Sequence, residues 1–253
     1  MDFDFTDDQE QLRDAVRKWV DKGYGFERRR GIAKAGGFSR EAYGQIAELG
    51  LTGLYIPEAD GGLGMGPVEG MVVMEELGRG IVLEPFSQTL IAGAVLSGYA
   101  GADTKESWLP RIAGGQAIVV LAYQERKARY RLDVCEAHAA KAGSGWSLTG
   151  AKGMVPVGDE ADAFLVPAKV DGKIALFLVE RSASGVEARG YGTQDGSRAA
   201  EVVFDKADAT LITADGLAAL EYAVDVGIAA TCAEAVGVMD KTCLLYTSDA
   251  ADE

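Results

Sequence analysis

The spacing of the hydrophobic residues changes once near Gln116, and this change constrains the fold more than any other feature of the sequence. Before it, apolar residues recur at three- and four-residue intervals, as Leu12, Val16 and Val20 do, which is typical of amphipathic helices. After it, short apolar runs separated by Gly-containing turns indicate strands. Helical spacing returns after Asp215. Helices, then strands, then a helix is the order of an α+β protein rather than of alternating βαβ units.

Local signals place the domain boundaries. We predict an N-terminal helical domain over residues 1–115, a small antiparallel β domain over 116–210, and the first helix of an incomplete C-terminal helical bundle over 211–242. Thr6 and Gln9 form a capping box at the start of the first helix. The glycine-rich residues 61–66 are predicted as a turn between helices, because the third glycine of a dinucleotide-binding motif is replaced by Pro67.

The last residues, 243–253, do not continue the pattern before them. This segment resembles the translated read-through of a sequencing adapter, which predicts a non-native tail and a natural chain that is cut near Thr242. An ordinary frayed C-terminus is the alternative.

The charge balance excludes some partners. Lys and Arg number 25 against 39 Asp and Glu, a formal net charge of −14, and such a field disfavours nucleic acid and anionic membranes. The start lacks a signal peptide pattern, and no uninterrupted apolar run approaches the roughly 20 residues of a membrane span. Three cysteines give no disulfide framework. We therefore expect a cytoplasmic protein. The single histidine, His138, excludes a His-rich metal site, and its surroundings indicate an exposed strand position, so we expect no metal.

One dense basic cluster occurs in this acidic chain, at residues 125–131, directly after the first predicted strand. Its cations can hold a phosphate or a carboxylate. The alternative is a solvated loop that pairs with surface acids.

Several motifs, in order over about 240 residues, resemble those of the acyl-CoA dehydrogenase family. They lie at residues 5–9, 47–54, 56–58, 61–64, 73–78, 145–152 and 161–162. Within the family, residues 82–85 and 190–196 are most similar to pimeloyl-CoA dehydrogenase small subunits. The resemblance implies a helical domain, a β domain and a C-terminal four-helix bundle, with FAD between them.

The resemblance also implies a reaction and its participants. FAD takes a hydride from Cβ of an acyl-CoA while a carboxylate removes the Cα proton, giving a trans-2-enoyl-CoA. That base must be desolvated, with a raised pKa. In the family it lies on the C-terminal bundle, so we assign no catalytic residue and expect this chain to be inactive. An electron-transfer flavoprotein-type acceptor and a large subunit, or a homo-oligomer, are the implied partners.

Carried over residue by residue, the resemblance gives a cofactor site and a substrate site. Tyr123, Gln124 and Glu125 match the strand end beside the flavin, and Met154, Val155 and Pro156 match the segment that flanks the flavin ring. Gln124 and Pro156 replace residues with hydroxyl groups, and Pro156 has no N–H to donate. Arg129 or Arg131 is the hypothetical partner of the far carboxylate of a dicarboxylyl-CoA.

Two other functions remain open. The replacements at Gln124 and Pro156 are also compatible with a non-catalytic companion subunit of an acyl-CoA dehydrogenase complex. A stand-alone acyl-CoA-binding module is the third reading.

Overall fold

The computed structural model describes residues 4–249, which form seven α-helices and seven strands. Residues 1–3, where the acidic start begins, and 250–253, the end of the predicted tail, lie outside the described residues. The helices are α1 (Asp7–Gly23), α2 (Phe26–Lys34), α3 (Arg40–Glu48), α4 (Pro67–Gly80), α5 (Phe86–Tyr99), α6 (Ala102–Ala113) and α7 (Gly216–Asp249). The strands are β1 (Val119–Leu121), β2 (His138–Ala142), β3 (Gly145–Pro156), β4 (Ala163–Val170), β5 (Lys173–Glu180), β6 (Val186–Gly192) and β7 (Arg198–Thr213).

The helical domain begins where the local signals place it. The Thr6 side chain accepts the Gln9 N–H at 3.3 Å and the Gln9 side chain accepts the Thr6 N–H at 3.0 Å, so the predicted capping box is present. Pro67 is the first residue of α4. Helix α5 is apolar on nearly all sides and is buried along most of its length, because it lies between the other helices and the strands.

The strands close into a barrel. The hydrogen-bonded order is β1-β4-β2-β3-β7-β5, and β5 also pairs with β4, while β6 pairs with β7 alone. Most pairs are antiparallel, as predicted, but β1 runs parallel to β4, and β2 also meets β4 in a parallel pairing. β1 enters from the helical domain and pairs with β4 outside the closed ring.

Two apolar cores explain why β4 and β5 carry continuous apolar runs rather than alternating ones. Alternate residues such as Phe164 and Phe177 fill the barrel interior. Their neighbours Leu165 and Leu178 face outward, against α5 and α6. Strands buried on both faces read as hydrophobic throughout, and this packing fixes the barrel against the helical domain.

Helix α7 packs against α4 and α5. It continues without a break past Cys243 to Asp249, so the predicted end of the helical pattern at 242 is not observed. The sequence predicts no membrane-spanning segment. Residues Gly216–Thr247 nevertheless meet the length and hydropathy criterion for a helix that crosses a membrane. Core helices of soluble proteins meet the same criterion.

The fold class predicted from the sequence is confirmed: a helical domain, a strand domain and a C-terminal helix follow one another. His138 is exposed at the start of β2, as expected. Residues 26–34 and 186–192, for which the sequence pattern predicts no separate element, form α2 and the edge strand β6.

Candidate flavin and acyl-CoA site

A cavity of about 380 Å³ lies where the two domains meet α7. Its walls come from the start of α5, the end of β1, the end of β3 and one face of α7. The lining residues are Ser87, Gln88, Ile91, Leu121, Tyr123, Gln124, Gly153, Met154, Pro156, Ala223, Val224, Gly227, Ile228, Thr231 and Cys232. Four of the six predicted cofactor residues therefore line one cavity.

Main-chain and side-chain hydrogen bonds hold the end of β1 at this cavity. The Gln88 side-chain oxygen accepts the Leu121 N–H at 3.0 Å, which ties β1 to α5. The Ala122 N–H donates to Leu165 O at 2.9 Å. Beyond it, Tyr123 and Gln124 leave the sheet and reach the cavity wall, where their side chains lie 3.4 Å apart.

A bulge in β3 decides which of Met154, Val155 and Pro156 can reach the cavity. The register with β7 shifts between Lys152 and Val155, and Met154 adopts a left-handed backbone with φ of 52°. Met154 is consequently 54% exposed, whereas Val155 is buried in the barrel core and does not line the cavity. Bulges commonly redirect side chains in this way.

Glu125 does not line this cavity, because its carboxylate is bound inside the protein. Its Oε1 lies 2.6 Å from Lys152 Nζ, in an ion pair whose side chains are 4% and 0% exposed. It also accepts the N–H groups of Glu136 and Ala137, at 2.5 and 3.1 Å. Burial acts to raise the pKa of Glu125, but the Lys152 ammonium and these donors outweigh it and hold the pKa below its ordinary value.

A second cavity of about 530 Å³ adjoins the first and shares Gln124, Gly153 and Met154 with it. Arg126 and Arg129 line it. Arg131 does not, and it forms an ion pair with Asp133 at 2.5 Å. Of the two arginines considered for substrate binding, Arg129 lines this cavity and Arg131 does not.

The wall contributed by α5 and α7 was not identified from the sequence. Gln88 is the one polar lining residue of this wall with a clear role, since it positions β1. The regular spacing of Ala223, Gly227 and Thr231 marks one helix face, but small residues at that spacing occur in any close helix packing. No local signal separates this cavity wall from an ordinary helix contact.

Comparison with known proteins identifies the fold. The acyl-CoA dehydrogenase N-terminal domain matches residues 6–116. The acyl-CoA dehydrogenase FadE12 of Mycobacterium tuberculosis is 32% identical over 189 residues, which cover 71% of this chain and 48% of that protein. This chain thus spans about half the length of the curated relatives it matches.

Solved structures share the architecture. The ChsE4-ChsE5 complex from Mycobacterium tuberculosis superimposes with a TM-score of 0.89 and 25% identity, over 98% of this chain and 68% of that chain. A structure titled for an electron transferring flavoprotein of Acidaminococcus fermentans has a TM-score of 0.87 at 23% identity, over 95% of this chain and 67% of that one. At that identity the likeness concerns the fold alone.

The helical domain, the strand domain and the C-terminal helix match the acyl-CoA dehydrogenase fold. The domain match and the named relatives support placing this chain in the acyl-CoA dehydrogenase family.

The residues present fit the FAD that this family implies. A flavin ring needs an apolar slot with hydrogen-bonding groups at its edges, and the first cavity offers Ile91, Leu121 and Met154 beside the Gln124 amide. The diphosphate of FAD needs a cationic donor, and Arg126 lines the adjoining cavity.

Proposed function

We propose that this chain is the flavin- and thioester-binding part of an acyl-CoA dehydrogenase subunit. The activity proposed for the whole protein is FAD-dependent α,β-dehydrogenation of an acyl-CoA to a trans-2-enoyl-CoA. The observation that carries the proposal is the cavity between α5, β1, β3 and α7, which adjoins a second cavity lined by two arginines.

FAD, when bound, supplies the acceptor for the hydride that leaves Cβ. The chain's own residues position the reactants and exclude water. Met154 presents a flexible apolar side chain, which can cover an aromatic ring. Its sulfur accepts the Tyr191 hydroxyl at 3.2 Å, a contact that restrains the side chain at the cavity mouth.

The proton of Cα needs a base, and the cavity lining contains no Asp, Glu or His among residues 4–249. We propose that the base comes from a segment outside the described residues, and that the 253-residue chain alone is inactive in dehydrogenation. The thioester oxygen also requires hydrogen-bond donors to stabilise enolate charge. The amides of Gln88 and Gln124 are the side-chain candidates at this wall.

Flavin binding tests the proposal directly. FAD is titrated into the purified chain while flavin fluorescence and visible absorbance are followed, with Gln124→Ala and the control Gln116→Ala, whose exposed side chain lies outside both cavities. We expect wild type and the control to bind FAD alike, and Gln124→Ala to bind about fivefold more weakly, as for the loss of one hydrogen bond of about 1 kcal/mol. A wild-type chain that binds no FAD would refute the proposal and favour the companion-subunit function.

The substrate class proposed is a dicarboxylyl-CoA such as pimeloyl-CoA, with Arg129 as the partner of the far carboxylate. Arg129 lines a cavity that adjoins the proposed flavin site, whereas Arg131 is paired with Asp133. In the assembled enzyme, Arg129→Ala should raise KM for a dicarboxylyl-CoA but not for a monocarboxylyl-CoA of equal length, and Arg131→Ala should change neither. Equal effects of the two variants would contradict this role.

The proposed partners are a large subunit and an electron-transfer flavoprotein-type acceptor. The two-protein title of the ChsE4-ChsE5 structure supports a heteromeric assembly. Co-expression with a neighbouring acyl-CoA dehydrogenase gene, followed by size-exclusion chromatography, tests the first partner: a single peak with both chains is expected.

A further inference from the structure

The ion pair between Lys152 and Glu125 is buried more completely than its stability alone explains. Its atoms are 2.6 Å apart, and the side chains are 0% and 4% exposed. Taking both charges out of water costs about as much as their attraction returns, so apolar residues of similar size are often as stable at such positions. A buried pair of this kind is best attested where it fixes a particular geometry.

Both partners are direct chain neighbours of the cavity walls. Glu125 follows Gln124, and Lys152 precedes Gly153 and Met154. The Gly153 N–H donates to Gln124 O at 2.9 Å, one residue away from the ion pair on each segment. This hydrogen bond and the ion pair therefore connect the same two segments, residues 124–125 and 152–153, at successive positions.

Regular strand pairing does not hold this part of β3. The ladder between β3 and β7 is interrupted between Lys152 and Val155, and the intervening Met154 has a positive φ. A left-handed backbone conformation is unfavourable for a residue other than glycine unless the surrounding structure imposes it. Lys152 is the last residue paired with β7 before this gap, opposite Val202, so its link to Glu125 restrains the segment at the edge of the gap.

A third segment joins the same pair. Glu125 accepts the N–H groups of Glu136 and Ala137, which close the turn that carries Arg126 and Arg129. Lys152 Nζ also donates to the carbonyl oxygen of Pro167 on β4, at 2.9 Å. The pair thus connects both cavity walls, the basic turn and the barrel.

We propose that Lys152 and Glu125 are positioning residues that set the separation of the Gln124 and Gly153–Met154 walls, and with it the fit of the flavin. Lys152 lines neither cavity, and Glu125 lines the second but not the first. Toward the first cavity both residues act through the main chain. The consequence for flavin rests on the proposed function, whereas the consequence for wall geometry does not.

The test uses the double variant Glu125→Gln/Lys152→Met. The two carboxylate oxygens accept the Glu136 and Ala137 N–H groups separately, so the Gln oxygen keeps one of these bonds. No charge remains buried without a partner, and the variant is therefore expected to fold. The control is Arg17→Met/Glu76→Gln, which removes the ion pairs of Glu76 with Arg17 on α1, at 2.7 Å, and with Arg79 on α4, at 3.3 Å. These residues are not among those that line the cavity.

Amide hydrogen exchange of Gly153 measures the wall geometry without flavin. We expect at least tenfold faster exchange of this N–H in the cavity-side double variant and no change in the control, at conditions of equal global stability. Unchanged exchange at Gly153 would overturn the proposal, whether or not the chain binds FAD.

FAD titration and the visible circular dichroism of the bound flavin measure the consequence for flavin binding. We expect about tenfold weaker binding and an altered flavin spectrum in the Glu125→Gln/Lys152→Met chain only. Normal binding and spectrum would refute the positioning role even if Gly153 exchanges faster. Absence of FAD binding by wild type would instead refute the proposed function, and the exchange of Gly153 would still decide the role in wall geometry.

Discussion

The crossing of α4 and α7 depends on glycine at two positions, and Gly237→Ala is the sharpest test of this packing. A Cβ atom built on Gly237 lies 1.9 Å from the carbonyl oxygen of Glu75 and 3.1 Å from the N atom of Arg79. In the reciprocal position on α4, a Cβ on Gly78 lies 2.2 Å from the carbonyl oxygen of Glu234. Both clashes are with backbone atoms, which cannot rotate away.

The magnitude follows from the displacement required. Ordinary van der Waals contact begins at 3.4 Å, so α7 must move away from α4 by about 1.5 Å, and the contacts of Ala230 and Ala233 with the core around Leu77 weaken. Overpacking of this severity costs about 3 kcal/mol, and the higher helix propensity of alanine offsets about 1 kcal/mol. The net loss of unfolding free energy is about 2 kcal/mol, or about 4–8 °C in Tm for a chain of this size.

Thermal unfolding followed by far-UV circular dichroism measures this loss. The matched control is Gly31→Ala, also within a helix, where a Cβ meets nothing within 4 Å. Since only propensity acts there, the control should gain up to about 1 kcal/mol. If Gly237→Ala stabilises the protein as the control does, α7 does not pack against α4 as described.

Three further predictions concern buried charge. Lys152→Met alone leaves the Glu125 carboxylate buried without its partner and should cost about 3–5 kcal/mol in urea unfolding, a loss that adding Glu125→Gln should largely reverse. Because the pKa of Glu125 is held below its ordinary value, its contribution to stability is present above about pH 4.3 and disappears as pH falls through the folded-state pKa. Tm of Glu125→Gln measured from pH 7 to pH 3 should therefore fall less steeply than that of wild type, and parallel curves would contradict this. Burial raises the pKa of Glu84, despite the nearby Tyr24 hydroxyl, and its carboxylate oxygens lack hydrogen bonds of good geometry. A raised folded-state pKa stabilises at low pH and loses that contribution as pH rises, so Glu84→Gln should gain about 1 kcal/mol at pH 8 and little at pH 4.

The predictions from the sequence succeeded where the cause is local. The capping box at Thr6 involves residues three apart, and Pro67 begins α4 through its own fixed φ. These features need no knowledge of what packs against them.

Other predictions about the site depended on contacts between distant segments. Val155 faces the barrel core because a bulge one residue earlier turns Met154 outward. Arg131 is engaged by Asp133, while Arg129 lies at a cavity. In each case the residue type is compatible with either position, so composition and spacing cannot distinguish them.

The sequence by itself determined the order of helices and strands, the helix starts and the α+β class, because hydrophobic period and capping act over a few residues. Only the tertiary structure decided that β5 returns to β4 to close the barrel, that α7 meets α4 through two glycines, and that Lys152 reaches Glu125 across 27 positions. The physical reason is that pairing, close approach and charge burial depend on which distant surfaces the packed chain brings together. No local pattern records that choice.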